Sequence, residues 1–550
     1  MNGSTLGTRR RTFLRRVGGT AAAGIASQAL STPGLTASEG SDTLDQRTQE
    51  CFQIRLDAAL AERNARIKPQ LTNGDEARYA NRIGNYSKGL PHNGIGEVDP
   101  AAYRSLLNAL ASTDPRDFER IVLGGNTRLV DPQAGLAFDL EGADSHALTM
   151  DPAPALASAE RAGEAVECYW MALLRDVNFT DYATNATAQA ACTELSRLTD
   201  FRGPKENGRV TPKTMFRGFT PGDVAGPHVS QFLLKPMEYG AIHMEQKMNT
   251  YPALSQGGRD YMTDPASWLA VQNGTGPFGS NLIDPNPRHV RNGRDLAAYV
   301  HIDVLFEAYF NACIWLIDNG APLNPGNPYG KSQTQAGFGT FGGPHAKTLV
   351  AEAATRALKT VWYQKWFVHR ALRPEEFGGL VHFTKTRAAS YPLHPDVLNS
   401  DAVARVSALH GTSFLPHAFP EGCPQHPSYG QGHGTVAGAC ATMVKAFFDD
   451  SFVLSNITPI VQATPDGFAL VHYTGSDTNK ITVGGEMNKL AANIAIGRNH
   501  AAVHWRSDYQ DSVLLGEAVA ISILKDQKAT YNESFDGFTF TKFDGTRITV

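Results

Sequence analysis

Residues 302–317 constrain the fold more than any other part of the chain, because they are apolar on almost every side of a helix. Apolar side chains recur there at three- and four-residue spacing from Ile302 to Ile317. A helix of that kind must be surrounded by other elements. The same spacing recurs in 101–111, 160–175, 347–372, 434–448, 487–496 and 511–525. We therefore predict a mainly all-α fold built from helical bundles.

Strand signals are sparse by comparison. The clearest lies in 538–550, where Asp544-Gly545 stands between alternating residues and predicts a short C-terminal β-hairpin. Residues 201–300 are rich in Gly, Pro and Asn, which indicates long loops between helices. A hydrophobic content of 42% over 550 residues is sufficient for a large core and excludes a disordered or fibrous chain.

The first 38 residues differ from the rest in composition. Arg10-Arg11-Thr12-Phe13-Leu14 resembles the twin-arginine export pattern, and the apolar run from Val17 to Leu30 is too short and too polar to span a bilayer. We predict a twin-arginine signal peptide over 1–38, cleaved near Ala37, and a single mainly helical catalytic domain over 39–550. The protein is then periplasmic or secreted, without a membrane span. The alternative interpretation of the segment is a basic disordered tail.

Charge and cysteine usage exclude several function classes. The formal net charge is −4, and leaving out the five arginines of residues 1–38 lowers it to −9, so we expect no nucleic-acid partner and no attraction to an anionic membrane. The six cysteines form no C-x-x-C pair, which excludes the common zinc and redox motifs. Their pairing stays open, although Cys313 and Cys440 lie in apolar runs and are predicted to be small buried residues.

Three separate clusters carry residues suited to hold an oxyanion. In the first, Lys365 and Arg373 lie near the end of a predicted helix that Pro374 should terminate. An ammonium and a guanidinium there can hold one tetrahedral anion between them. Taken alone, the same two residues are typical of solvated charges at a helix end.

The second cluster is the loop 426–434, His-Pro-Ser-Tyr-Gly-Gln-Gly-His-Gly. Its Pro and Gly residues predict a tight loop that leads into a helix, so backbone amides near Gly432 and His433 can bind an anion. His433 is placed for proton transfer, whereas the alternative is a histidine that only caps the helix.

The third cluster contains Arg498, His504 and Asp508. On one helix, His504 and Asp508 are i and i+4 neighbours, so the carboxylate can orient the imidazole as a nucleophile or a metal ligand. The alternative is an ordinary ion pair on the helix surface. His500 and His504 also have a zinc-site spacing, but no Glu follows the first His as it does in metalloproteases.

Together the three clusters resemble the motif of the type 2 phosphatidic acid phosphatase and vanadium haloperoxidase superfamily. Arg498, His504 and Asp508 keep the superfamily spacing. The seven residues between Lys365 and Arg373, and a histidine seven residues before His433, are similar to the algal-type bromoperoxidases. Trp362, three residues before Lys365, and the segment 264–274 also resemble haloperoxidase sequences.

The resemblance implies helical bundles of the vanadium haloperoxidase/acid phosphatase type, two within one domain, and a vanadate cofactor. It implies that His504 supplies the axial nitrogen to vanadium, the metal of the site. Lys365, Arg373 and Arg498 would then neutralise the equatorial oxygens, with the Gly432 amide as a further donor.

The resemblance also implies roles in turnover. His433 would hydrogen-bond the apical hydroxide and handle protons, and His426 would influence halide oxidation. The implied partners are hydrogen peroxide, a halide, here bromide, and a small organic acceptor, in a protein that forms a homo-oligomer. The implied catalytic set lies between residues 365 and 508: Lys365, Arg373, His426, His433, Arg498, His504 and Asp508.

One residue departs from the family pattern, because Gln431 stands where the family has Ser before Gly-His. Its amide can donate to the oxyanion from a longer side chain, or it can fold away from the site. Two alternatives therefore stay open: an acid phosphatase with His504 as nucleophile, and an oxyanion-binding homologue without catalysis. Asp303 is expected to pair with one of the arginines, or to cap a helix or form a simple salt bridge.

Overall fold

The computed structural model describes residues 41–550, with side chains from residue 44. The twin-arginine segment and the predicted cleavage position lie outside the described residues. The chain divides into two compact units, one ending at Arg63 and one spanning Asn64–Val550. The single catalytic domain over 39–550 stays a prediction.

In the first unit, the described residues form α1, Ser41–Asn64, whose side chains are almost all exposed. The second unit contains the other helices and strands of the described chain. Its helices are α2 Asp75–Arg78, α3 Pro100–Ser112, α4 Pro115–Phe118, α5 Ala159–Leu174, α6 Ala186–Arg197, α7 Pro265–Gln272, α8 Gly293–Ile302, α9 Glu307–Asp318, α10 Gly343–Tyr363, α11 Pro374–Lys385, α12 Pro395–Leu398, α13 Asp401–His410, α14 Gly432–Phe447, α15 Val483–His500 and α16 Arg506–Lys528.

The mainly helical prediction is confirmed, with differences at several boundaries. The segment 302–317 is not one helix, because α8 ends at Ile302 and α9 begins at Glu307 after a bend of 100°. The segment 347–372 continues α10 only to the π-helical turn Gln364–His369. Residues 264–274, within the region predicted as long loops, contain α7, whose first turn is capped by Asp264.

Helix α14 lies at the centre of the core and packs on α10, α15 and α16. Its backbone closely approaches that of α16, and two glycines make this possible. A Cβ atom on Gly438 would lie 2.1 Å from the Val513 carbonyl oxygen, and one on Gly516 would lie 2.0 Å from that of Thr435. This close packing brings together the N-terminal ends of α14 and α16, which carry the second and third clusters.

Regular strands are few and short in residues 41–550. They form three antiparallel pairs: β1 Met237–Tyr239 with β2 Ile242–Met244, β3 Val461–Ala463 with β4 Leu470–His472, and β5 Thr539–Thr541 with β6 Arg547–Thr549. The last pair is the predicted C-terminal hairpin, with Phe540 opposite Ile548.

All six cysteines are free thiols. Cys313 and Cys440 are fully buried, as predicted, whereas Cys51 on α1 is exposed. Within the described chain, no single helix has the length and hydrophobicity of a membrane span, although α8 and α9 pass that test as a bent pair.

Candidate oxyanion site

The structure brings the three predicted clusters together around one buried point. The first is carried by the π-helical turn after α10 and by the N-terminus of α11, and the second by the loop 426–431 and the N-terminus of α14. The third is carried by the last turn of α15 and by the turn 501–505 that leads into α16. Residues far apart in the sequence thus converge where several helices begin or end.

Lys365 lies in the π-helical turn and is completely buried. Its ammonium donates to the carbonyl oxygens of Pro427 at 2.7 Å and Ser428 at 2.9 Å. An ammonium has three hydrogens, so one remains for a ligand. Burial, together with the nearby Arg373, lowers the pKa of Lys365 well below its usual range. An incoming anion would therefore stabilise the charged form of this lysine.

Arg373 is also completely buried, and it occupies the N-cap of α11 instead of the end of the preceding helix as predicted. Its Nε donates to the His426 carbonyl at 2.9 Å, and its Nη1 donates to the Val503 carbonyl at 2.7 Å and to Nε2 of His504 at 2.9 Å. Its Nη2 donates to Nδ1 of His426 at 2.8 Å. These bonds fix the guanidinium plane and leave one N–H of five for a ligand.

His504 and Asp508 form the predicted pair by a different local structure. They do not share a helix, since α15 ends at His500 and Asp508 lies in the first turn of α16. The Nδ1 atom of His504 is 2.6 Å from the Asp508 carboxylate. Because Nδ1 donates to Asp508 and Nε2 accepts from Arg373, the ring is neutral with its lone pair on Nε2.

The electrostatic surroundings keep the His504 ring neutral. Burial lowers its pKa well below the usual value, and Arg373, Lys365 and Arg498 lower it further by repelling the imidazolium form. Burial raises the pKa of Asp508, although the Ser428 hydroxyl and the Trp505 amide both donate to its carboxylate. A neutral imidazole held by a carboxylate on its other nitrogen is the usual form of a metal-ligating histidine.

His426 lies beside His504 and Asp508, and its ring packs against one aromatic side chain. Its ring centroid is 4.7 Å from that of Trp362, and its Nδ1 accepts from Arg373. Burial and the cations Lys365 and Arg373 lower its pKa well below the usual value. His426 therefore joins the site through Arg373, as a neutral ring.

Arg498 lies in the last turn of α15 and is 5% exposed. Its Nη1 donates to the Val300 carbonyl at 2.6 Å, and its guanidinium carbon is 5.4 Å from the centroid of the Phe419 ring. Burial lowers its pKa to about 10, against the favourable charge of Asp303. Its Nε is buried and has no partner among the described residues. A buried N–H without an acceptor indicates a position where a ligand oxygen fits.

His433 is the second residue of α14, next to the free first-turn amides of that helix. Its Nε2 is 2.9 Å from Oδ1 of Asp303, which follows the end of α8. Of the alternatives for Asp303, the geometry agrees with a simple salt bridge, whose partner is His433 and not an arginine. The His433 side chain is 15% exposed, so this edge of the site is within reach of solvent.

Gln431 is the N-cap residue of α14 and is completely buried. Its backbone amide donates to the Ser512 hydroxyl at 2.7 Å, and its side-chain amide donates to the Ala495 carbonyl at 2.8 Å. In this structure the side-chain nitrogen therefore bonds α15 and not the oxyanion point. Of the two expectations for Gln431, the geometry agrees with the side chain that folds away.

Several residues that hold the site were missed in the sequence. The Glu376 carboxylate accepts the amides of Arg373 and Ser87 at 2.7 Å each and thereby fixes the start of α11. The signal was present, because Pro374 at the first helical position and Glu376 at the third are typical of a helix start. Ser428, within the predicted loop, donates its hydroxyl to Asp508.

A neighbouring cluster of Glu375, His417 and Cys423 has the residue types of a metal centre and is buried. The Glu375 carboxylate, however, already accepts from the Lys88 ammonium at 3.1 Å. That ammonium also donates to the carbonyls of Glu421 and Cys423. The cation of this cluster is thus Lys88, and we interpret it as a buried ion pair beneath α11.

The donor set of the main site fits a highly charged tetrahedral oxyanion. It contains one neutral imidazole, three cations and the start of a long helix, with the unpartnered Nε of Arg498 among them. Anions are stabilised by such fixed cations and by helix N-termini. Vanadate has the charge and shape that this donor set requires.

Comparison with known proteins agrees with this geometry. A family model for the second helical-bundle domain of VCPO matches residues 346–533. The vanadium-dependent bromoperoxidases of Corallina pilulifera and Corallina officinalis are each 36% identical over 603 aligned positions, covering 92% of this chain and 99% of the relative. The chain belongs to the vanadium-dependent bromoperoxidase family.

Two further relatives extend the match to the whole fold. A vanadium-dependent bromoperoxidase of Ascophyllum nodosum is 35% identical over 529 positions, covering 92% of each chain. The solved homohexameric structure of the second vanadate-dependent bromoperoxidase of that alga superposes with a TM-score of 0.88 at 31% identity. It covers 95% of this chain and 94% of its own. The family's helical-bundle architecture is therefore that of this chain.

Proposed function

We propose that the protein is a vanadate-dependent haloperoxidase that uses hydrogen peroxide to oxidise bromide. One observation carries the proposal: the unprotonated Nε2 of the buried His504 is in contact with the buried Arg373. Two further buried cations, Lys365 and Arg498, are near enough to disfavour the charged form of the ring. A nitrogen lone pair among cations suits a metal oxyanion, which needs a ligand and charge compensation at the same point.

In this proposal His504 holds vanadate through Nε2, and the three cations and the Gly432 amide hold its oxygens. Bound vanadate supplies a Lewis acid that makes peroxide electrophilic toward halide. Asp508 fixes the tautomer of His504, and Ser428 fixes Asp508. Without vanadate, Arg373 bridges His504 and His426. Its bond to Nε2 of His504 would give way when vanadate takes that nitrogen, whereas its bond to Nδ1 of His426 can remain. Burial of Lys365, Arg373 and Asp508 excludes water from this side.

The reaction H2O2 + Br⁻ + H⁺ → HOBr + H2O consumes one proton, so the site needs a proton donor. His433 fits this role, because its Nε2 is held by Asp303 and its Nδ1 is not used by that pair. It is also the more exposed histidine of the site, which allows it to be reprotonated from solvent. The oxidised bromine then passes to a small organic acceptor.

The proposal is tested by bromination of monochlorodimedone with purified protein, peroxide and bromide, before and after loading with orthovanadate. Hydrolysis of p-nitrophenyl phosphate without vanadate is measured in parallel. We expect bromination that depends on vanadate and is absent in His504→Ala. Phosphate release without bromination would assign the protein to the phosphatases instead. Silence in both assays, with vanadate still bound, would indicate a binding protein without catalysis.

We also propose export through the twin-arginine route, on the strength of the Arg10-Arg11 pair and the apolar run after it. Replacing both arginines by Lys should retain the protein in the cytoplasm. We further propose a homo-oligomer, because the solved relative that covers 95% of this chain is homohexameric. Light scattering on the purified protein should then give a mass that is a multiple of the subunit mass.

A further inference from the structure

Two residues of the segment 300–303, at the end of α8, contact two separate groups of the site. The Val300 carbonyl accepts from Nη1 of Arg498 at 2.6 Å. Three residues later, Oδ1 of Asp303 lies 2.9 Å from Nε2 of His433. The position of the segment 300–303 therefore determines the orientation of both a proposed oxyanion-binding cation and the proposed proton donor.

Val300 is buried in the core, but the chain beyond it is poorly held by its own helix. Helix α8 ends at Ile302, and the chain bends by 100° before α9 begins at Glu307. The side chains on either side of Asp303 face solvent, with Ile302 68% and Val304 54% exposed. Helix ends with few buried apolar contacts open easily, so a fixed position requires other contacts.

His301 supplies those contacts. Its Nε2 is 2.5 Å from Oε1 of Glu421, and its Nδ1 is hydrogen-bonded to the Tyr251 hydroxyl. Its ring stacks on Phe419 with centroids 3.7 Å apart and an interplanar angle of 9°. Both ring nitrogens and one ring face are thus engaged, which leaves His301 few alternative orientations.

The same Phe419 ring also faces the guanidinium of Arg498, 5.4 Å from its centroid. Arg498 is therefore held between the Val300 carbonyl and a ring on which His301 is stacked. Glu421 and Phe419 belong to one loop, so that loop fixes the end of α8 and the arginine together.

We propose that Tyr251, His301 and Glu421 form a clamp that positions Arg498 and His433 for the reaction. These three are positioning residues, which act through the Val300 carbonyl and through Asp303. The inference rests on the proposed function, since it assigns the orientation of two groups of that site. Loss of the clamp should weaken anion binding through Arg498 and slow turnover through His433.

The test uses His301→Ala, Glu421→Ala and the variant that combines both. A fourth variant, Glu421→Gln, keeps an acceptor for His301 but removes the charge. Orthovanadate affinity of the vanadate-free protein is measured by calorimetry, and kcat and KM for bromide are measured after loading. We expect His301→Ala to lower vanadate affinity and kcat by about tenfold each, the size of one lost oriented charge-assisted hydrogen bond. Glu421→Gln should fall between the wild type and Glu421→Ala.

The double variant tests whether the residues act as a unit. Because the pair is lost once either member is removed, the double variant should be no worse than His301→Ala alone. Additive losses, or vanadate affinity and kcat both within twofold of the wild type in His301→Ala, would overturn the clamp. Circular dichroism and the melting temperature confirm that each variant is folded.

A matched control is the exposed pair His243 and Glu238, whose Nδ1 and Oε1 atoms are 2.8 Å apart on β2 and β1. His243→Ala should leave vanadate affinity and kcat unchanged. The affinity measurement also separates this inference from the proposed function. If the wild type binds vanadate but does not brominate, the proposed function fails, whereas the clamp is still judged by the affinity of His301→Ala.

Discussion

The two sides of the oxyanion site are built differently. On the closed side, Lys365, Arg373, His504 and Asp508 are at most 2% exposed, and backbone carbonyls and side chains hold most of their polar atoms. Oδ1 of Asp508 is the exception, because it has no partner among the described residues. On the open side, His433 is 15% exposed and Arg498 has an unpartnered Nε. A rigid, dry side suits charge compensation and ligation, whereas a side open to solvent suits the exchange of protons and reactants.

The largest effect is expected from His504→Ala on the closed side. The variant removes the proposed ligand atom and should reduce vanadate-dependent bromination to background. Full activity in this variant would contradict the ligand assignment. Asp508 keeps its bonds from Ser428 and the Trp505 amide, so we expect the protein to remain folded, which a thermal melt can verify.

Removing one cation at a time should show which side contributes more to vanadate affinity. Replacing Lys365, Arg373 or Arg498 by Ala should weaken vanadate binding by roughly 1.5–3 kcal/mol each, the range for a charge-assisted hydrogen bond. We expect the two closed-side variants at the upper end and Arg498→Ala at the lower end, measured by calorimetry on vanadate-free protein. Equal losses would remove the distinction between the sides, and unchanged affinity in all three would place the anion elsewhere.

The sequence contained more information on the closed side than on the open one. The spacings of Lys365, Arg373 and His504 were enough to predict the closed side. Its residues lie close to helix ends, and Pro and Gly mark those ends in the sequence. Even there, the local structure differed: Arg373 caps α11, and His504 precedes the helix that contains Asp508. More than one backbone conformation is compatible with the same spacing in the sequence, so the spacing alone did not determine which residues are helical.

The open side was harder to predict from the sequence because its contacts join residues that are far apart in the chain. Asp303 and His433 are 130 residues apart, and nothing local to either indicates the partner of the other. The break between α8 and α9 was also missed, since apolar side chains recur at helical spacing throughout residues 302–317 and the periodicity shows no interruption. Long-range pairing and helix breaks without Pro or Gly are the features that a single sequence specifies least.

On the open side, Asp303→Asn should lower kcat while vanadate affinity stays within about twofold. Asparagine keeps the size of the side chain but removes the carboxylate charge that faces Nε2 of His433. We expect kcat to fall by about tenfold, within the contribution of a positioned general acid. A loss of vanadate affinity larger than the loss of kcat would show that the open side also holds the anion.

The pH dependence of anion binding should belong to the closed side. The pKa of Lys365 is lowered by burial and by Arg373, and a bound anion favours its ammonium form, so binding takes up protons. Affinity should therefore be highest below the lowered pKa and fall as pH rises through it. Sulfate is a suitable probe, because it does not titrate between pH 6 and 9. Lys365→Arg keeps the charge and should flatten the profile, whereas a profile unchanged by this substitution would assign the proton to another group.

The smallest effect is expected from Gln431→Ser, which introduces the residue typical of the family. In this structure the Gln431 side-chain amide donates to the Ala495 carbonyl and leaves anion binding to Lys365, Arg373 and Arg498. Serine is a favourable N-cap residue, which offsets part of the packing lost with the longer glutamine side chain. Vanadate affinity and kcat should therefore change by less than about threefold. Both are measured alongside the wild type under identical loading. A gain of more than tenfold in kcat would instead show that glutamine impairs the site, and that the closed side depends on a hydroxyl at this position.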